Sequence, residues 1–260
     1  MAGGRPCRRH HGCVSTRIVT WNLQGRERPD LDEVADVLAG WQPDVVALQE
    51  VQRGQARALA RRLGWEVAWR FKHWPVVVPP EGLALLSPTP LGEVRRAHLA
   101  ARWQPWSWRR RIAVAATVDG PDGPVVLVNT HLGAGVGDDE RVRQARRTID
   151  LLDGRPGCVV GDLNTAPGSP VLGCYADAGL RDGWDEARPG EACPTNWRPG
   201  PRDVPPTQRL DYVLVADGLA VGRAEVPGAG DPGFARFGAL SDHLPLLVEL
   251  APRSRRQIGA

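Results

Sequence analysis

The stretch Val159-Val160-Gly161-Asp162-Leu163-Asn164-Thr165 limits the possible folds more than any other part of the chain. An apolar run ends in a glycine, and an acid and an amide follow at once. A buried strand that carries polar groups at its C-terminal end reads this way. With Leu163 turned away between them, Asp162 and Asn164 face the same side. The first can take a proton or hold a cation, and the second can donate to a phosphate oxygen. An Asp-x-Asn after a strand is by itself often an Asx-turn. Here it gains weight because other strand ends carry matching chemistry.

Residues 17–22 form a first strand that ends at Asn22, and Leu31, Val34, Ala35 and Leu38 have helical spacing up to Gly40. Residues 43–50 are a continuous apolar strand, buried on both faces, that ends at Glu50. A helix over 52–63 closes at Gly64, and the aromatic stretch 65–80 reads as strand and loop. Glu81 enters a strand over 82–87. Strands over 112–118 and 125–129 flank a turn at 119–124, and the second delivers Thr130-His131. Gly133 to Gly137 lack nucleotide-loop spacing and read as a connector. Asp138 or Asp139 caps a helix running to about Leu152, and Ser169 caps a short one with Pro170 at its first position. A long loop fills 182–206. Asp211 lies inside a strand over 209–215, and Asp242-His243 precede the last strand at 244–250. With no internal repeat and no linker, the reading is one domain over 17–251, between loose tails at 1–16 and 252–260.

Of the 260 residues, 42% are hydrophobic, enough for a sizeable core and too many for general disorder. The net charge of +3 permits an anionic substrate without demanding one, and Lys72 is the only lysine in an arginine-rich chain. The five cysteines are odd in number and contain no C-x-x-C pair, which argues against a disulfide framework. Cys7, His10, His11 and Cys13 fit no common zinc-finger spacing. No apolar run reaches membrane-span length, and no signal-type apolar region follows the first arginines, so a reduced, cytoplasmic setting is expected.

Asn22, Glu50, His131, Asp162, Asn164, Asp211, Asp242 and His243 thus end or interrupt apolar strands. Each costs roughly 1–3 kcal/mol if buried without a partner, so their shared placement makes sense if they converge on a cation and an anion. Glu50, Asp242 and Asn22 are hard oxygen donors of the type Mg²⁺ prefers, and a histidine beside an acid suits proton work. Thr20-Trp21-Asn22, Leu48-Gln49-Glu50-Val51, Asn129-Thr130-His131-Leu132, Gly161-Asp162-Leu163-Asn164, Leu210-Asp211-Tyr212 and Ser241-Asp242-His243 together resemble the endonuclease/exonuclease/phosphatase superfamily, in its order, from Arg17 to Leu250.

The resemblance implies a four-layer α/β/β/α sandwich: two packed, mainly antiparallel sheets flanked by helices, with the site at one end. It implies a metal-dependent phosphoesterase using Mg²⁺, with Mn²⁺ as a substitute, and in-line attack by an activated water. Glu50, Asn22 and Asp242 would hold the metal, and Asp162 would orient or deprotonate the water. Asn164 and His131 would contact the phosphate, and His243, oriented by Asp211, would act as acid/base or stabilise the transition state. Glu81 would support His131. The tyrosine that abasic-site endonucleases place in the site has no counterpart here, which counts against that branch. Trp103, Trp106 and Trp108, interleaved with Arg102 and Arg109 to Arg111, suit stacked bases and phosphates, a lipid surface, or simple packing over the rim. The expected substrate is a phosphodiester, in nucleic acid rather than lipid or inositol phosphate, handled by a monomer with no obligate protein partner. The competing readings are a binding protein that kept the fold without catalysis and, more distantly, a serine hydrolase, which lacks its G-x-S-x-G.

Overall fold

The computed structural model describes residues 15–73, 80–99, 111–198, 200–228, 230–231 and 233–252. The Cys7 to Cys13 cluster, Trp74, the Trp103 to Trp108 patch with Arg109 and Arg110, and nearly all of both expected tails lie outside them. The first half of the chain supplies β1 (Thr16–Asn22), α1 (Leu31–Trp41), β2 (Val45–Gln52), α2 (Arg53–Leu63), β3 (Glu66–His73), β4 (Glu81–Ser87), β5 (Gly92–His98), β6 (Ile112–Gly120) and β7 (Gly123–His131). The second supplies α3 (Asp138–Asp150), β8 (Gly157–Asp162), α4 (Pro170–Asp177), β9 (Leu180–Asp182), α5 (Gly183–Ala187), β10 (Asp211–Ala216), β11 (Ala220–Glu225), α6 (Ala235–Leu240) and β12 (Leu246–Ala251).

The strands form two six-stranded sheets, ordered β11-β12-β1-β2-β4-β3 and β5-β6-β7-β8-β10-β9. Each has one parallel pair, β1 with β2 and β7 with β8, and is otherwise antiparallel. The sequence shows no repeat, yet the two sheets share this plan, with a helix-linked parallel pair at the centre of each.

Alternation along the strands builds the layers. Ile18, Val45, Ala47 and Leu85 meet Val114, Leu127, Val160 and Val213 between the sheets. Their neighbours Val19, Val46 and Leu48 pack outward on Val34 and Leu38 of α1 and Leu59 of α2. Val126, Val128 and Val159 pack on Ala145 of α3 and on Val171 and Tyr175 of α4. Both faces of each sheet are covered, so the central strands read as unbroken apolar runs. No helix among the described residues is long and apolar enough to cross a membrane.

Some boundaries differ from the sequence reading. Thr16, read as tail, already pairs with Leu250 in the sheet. β5, β11 and α6 were not foreseen: β5 and β11 are edge strands that carry charge, and α6 is very short, so none leaves an apolar run. The N-cap of α3 is Gly137 rather than Asp138 or Asp139, and the acids fill the first turn, where the helix dipole favours them. The presumed loop after Asp182 opens with α5.

A buried amide at the centre of the sandwich bridges the two sheets. Asn129 of β7 donates through Nδ2 to the carbonyls of Leu48 in β2 (3.0 Å) and Ala84 in β4 (2.8 Å), and its Oδ1 accepts from Gln49 Nε2 at 2.8 Å. These contacts sit where the β2–β4 register slips between Leu48 and Val51. Asn129→Ala removes a donor from two buried carbonyls, while Gln49 Nε2 keeps the Thr20 hydroxyl and the Ala47 carbonyl, so unfolding in urea should show a loss of roughly 2 kcal/mol.

Candidate active site

Strand register assembles the polar cluster. At the ends of β7, β8 and β10, His131 lies opposite Asp162 and Asp162 opposite Asp211. In the other sheet Asn22 ends β1 opposite Gln49. Glu50 does not end its strand as expected: β2 runs on to Gln52, and Glu50 occupies the bulge with a left-handed φ of 51°. Asp242 and His243 precede β12, held by the Ser241 hydroxyl, which donates to the Asn22 carbonyl at 2.6 Å and accepts from His243 N at 3.1 Å. All nine expected site residues except Asp211 line one cavity of about 600 Å³, and Asp211 lies fully buried behind His243. A larger groove of about 810 Å³ beside α4 and α5 contains none of them.

Asp162 is the hub. Its Oδ2 accepts from Asn22 Nδ2 at 3.0 Å and lies 3.5 Å from His131 Nε2 and 3.8 Å from His243 Nε2. Its Oδ1 accepts from the Asn164 backbone at 2.9 Å, and Asn164, with φ 48°, donates its side-chain amide to the Leu132 carbonyl at 3.1 Å. Burial pushes the Asp162 carboxyl up to about 6, against the opposing pull of the His243 charge. Burial would lower His243, but the Asp211 carboxylate, 2.7 Å from Nδ1, raises it to about 10 and holds the imidazole charged.

The structure adds residues that the sequence reading left out. Lys72, noted only as the lone lysine, is buried with Nζ 3.0 Å from His131 Nδ1. Burial and the Arg111 charge lower it to about 7, while Glu50, Glu81 and Asp162 oppose that shift. Burial raises the Glu50 carboxyl, but Lys72, His243, Arg111 and Arg26 hold it below its ordinary value. Arg111, read as part of a surface patch, is buried and lines the cavity, together with Gln24, Arg26, Asn196, Arg198 and Gln208. The available signals were a lysine inside a strand and a long loop ahead of β10.

Among the described residues, no three His, Cys, Asp or Glu side chains already close around one point. The donor chemistry still fits a hard cation. Glu50, Asp242 and Asn22 all line the cavity and carry hard oxygens; Asn22 Oδ1 accepts from Gln24 N at 3.1 Å, and Asp242 Oδ1 is buried without a hydrogen-bond partner among the described residues. Asp242 Oδ2 pairs with Arg198 Nε at 2.5 Å.

The model of the Endonuclease/Exonuclease/phosphatase family matches residues 19–243. An endonuclease/exonuclease/phosphatase from Beutenbergia cavernae is 27% identical, covering 91% of this chain and 71% of its own, with a TM-score of 0.72. A 3'-5' exonuclease from Neisseria meningitidis is 22% identical over 90% of this chain and 99% of its own, with a TM-score of 0.69. A mannosyl-6-phosphatase from Bacteroides thetaiotaomicron is 16% identical over the same shares, 90% and 99%, with a TM-score of 0.68. These last two show the shared fold. No curated protein matches the chain.

Gly161 sets how closely β8 approaches β7. Its φ is 134°, and a Cβ there would lie 2.0 Å from the Thr130 carbonyl oxygen. Gly161→Ala should therefore push Asp162 off His131 and destabilise by about 2 kcal/mol or more in thermal melting. Gly173→Ala, in α4 with open space around its Cβ, should melt at or above the wild-type temperature.

Proposed function

The chain belongs to the endonuclease/exonuclease/phosphatase family of phosphoester hydrolases, and we propose that it is a Mg²⁺-dependent phosphodiesterase acting on nucleic acid. The observation that carries this reading is the cavity itself. Hard oxygen donors, a hydrogen-bonded carboxylate and several buried positive charges face one space.

Asn22, Glu50 and Asp242 would hold the ion, for which Mn²⁺ would substitute. Bound there, it supplies Lewis-acid polarisation of a phosphoryl oxygen and offsets negative charge. Asp162 has its oxygens fixed by Asn22 and the Asn164 backbone, and its raised pKa of about 6 suits taking a proton from the attacking water near neutral pH. His243, kept charged by Asp211, offers Nε2–H to charge developing on the phosphoryl group. Lys72 on His131 Nδ1 leaves Nε2 as the face that meets phosphate. The Asn164 amide donates to Leu132 through one hydrogen and has a second for a phosphate oxygen. Glu81, lining the cavity near Lys72, balances part of the lysine charge. Arg26, Arg111 and Arg198 suit an extended polyanion, and the Trp/Arg-rich sequence ahead of Arg111 favours bases over lipid.

Three measurements test this. A panel of single- and double-stranded DNA, RNA, sphingomyelin and phosphoinositides should show Mg²⁺-dependent, EDTA-sensitive cleavage of nucleic acid. Cleavage of a lipid or inositol phosphate with DNA and RNA untouched would move the substrate and leave the metal chemistry standing. Glu50→Gln should weaken Mg²⁺ binding about tenfold or more by calorimetry, and activity should fall with it. For the dyad, Asp211→Asn/His243→Ala should be little slower than His243→Ala alone, because Asp211 acts through the imidazole. Additive losses in kcat would separate the two.

A further inference from the structure

The ion pair between Arg198 and Asp242 is one-sided. The Asp242 side chain is 4% exposed, whereas the Arg198 side chain is 55% exposed. A buried carboxylate depends on a counter-charge, but a guanidinium mostly in water loses little by leaving. The backbone beside Arg198 is held by contacts that do not involve its side chain. Trp197 N and Asn196 Nδ2 both donate to the Asp242 carbonyl, at 3.1 and 3.2 Å, and Asn196 Oδ1 accepts from Arg198 N at 2.9 Å. Trp197 is buried, and its indole donates to the Val204 carbonyl at 2.5 Å. The Arg198 backbone therefore stays at the cavity wall wherever its guanidinium goes. Rotation about the side-chain torsions alone can swing the head across the space shared with Asn22, Glu50 and Asp162.

We infer that Arg198 is a substrate-binding residue that competes with the divalent cation for Asp242 and grips the substrate phosphate once the cation has displaced it. The inference rests on Asp242 being a metal ligand, as proposed above. A cation at Asp242 takes over as its counter-charge, and the freed guanidinium presents its planar fork to non-bridging phosphate oxygens. Metal and substrate are then coupled through one side chain. Arg198 weakens cation binding to the free enzyme and strengthens substrate binding once the cation is in place.

The test titrates Mn²⁺ alone, by electron paramagnetic resonance and without substrate, into wild type, Arg198→Ala, Arg198→Lys and Glu50→Gln. Arg198→Ala should bind Mn²⁺ about fivefold more tightly than wild type, with Arg198→Lys between them. With bis-(p-nitrophenyl) phosphate as the probe, Arg198→Ala should raise KM about tenfold and lower kcat less. Unchanged or weaker Mn²⁺ binding in Arg198→Ala overturns the inference, as does a fall in kcat at constant KM. Unfolding of Arg198→Ala, with Arg198→Lys folded and binding Mn²⁺ as wild type does, would make Arg198 a brace and also overturn it. If Glu50→Gln loses Mn²⁺ while Arg198→Ala binds it as wild type does, this inference alone falls. If Glu50→Gln binds Mn²⁺ as wild type does, the metal reading falls and takes this inference with it.

Discussion

The Asn129 amide reaches from one sheet into the ladder of the other, and the geometry of the cavity follows from it. By donating to the Leu48 and Ala84 carbonyls, it satisfies backbone groups at the slip in the β2–β4 register. A filled slip lets Glu50 hold a left-handed φ that its type seldom adopts. Gln49, one residue before, returns its own amide to Asn129 Oδ1 and to the Thr20 hydroxyl at 3.0 Å. The same small region thus fixes the spacing of the sheets and the direction of a carboxylate.

Four of the six motifs join a structural residue to a chemical one. Gln49 precedes Glu50, and Thr130, whose carbonyl leaves no room for a Cβ on Gly161, precedes His131. Gly161 precedes Asp162, and Ser241, hydrogen-bonded to the Asn22 carbonyl, precedes Asp242. The two sheets also divide the chemistry. The proposed metal donors Asn22, Glu50 and Asp242 lie on β1, β2 and the turn before β12, all of the first sheet. His131, Asp162 and Asp211 come from β7, β8 and β10 of the second. His243 leads into the first sheet and bonds Asp211 of the second, closing the site across the sandwich.

Charge balance holds this arrangement together. Glu50, Asp162, Asp211 and Asp242 are set against Lys72, Arg111, Arg198 and His243. The buried members, Asp162, Asp211, Asp242, Lys72, Arg111 and His243, would be costly as unmatched ions, whereas Arg198 reaches in from the exposed rim. Burial raises Asp162 to about 6 even against the His243 charge, while the Asp211 carboxylate, from the other sheet, outweighs burial and holds His243 charged.

Much of this was legible in the residues themselves. Continuous apolar runs required sheets covered on both faces, and polar residues at their ends had to meet somewhere. Asn22, Glu50, His131, Asp162, Asn164, Asp242 and His243 do line one cavity with Asp211 behind them. The edge strands β5 and β11 were hidden because an edge needs no apolar pattern, and their pairing comes from a neighbour. Only the tertiary structure could bring Lys72 of β3 to His131 of β7, turn Arg111 inward, or set Arg198 on Asp242. Lys72 and His131 are 59 positions apart, Arg198 and Asp242 are 44, and Arg111, whose Nη1 donates to the His131 carbonyl at 3.5 Å, is 20 from it; local sequence pattern carries no record of a partner that arrives through space.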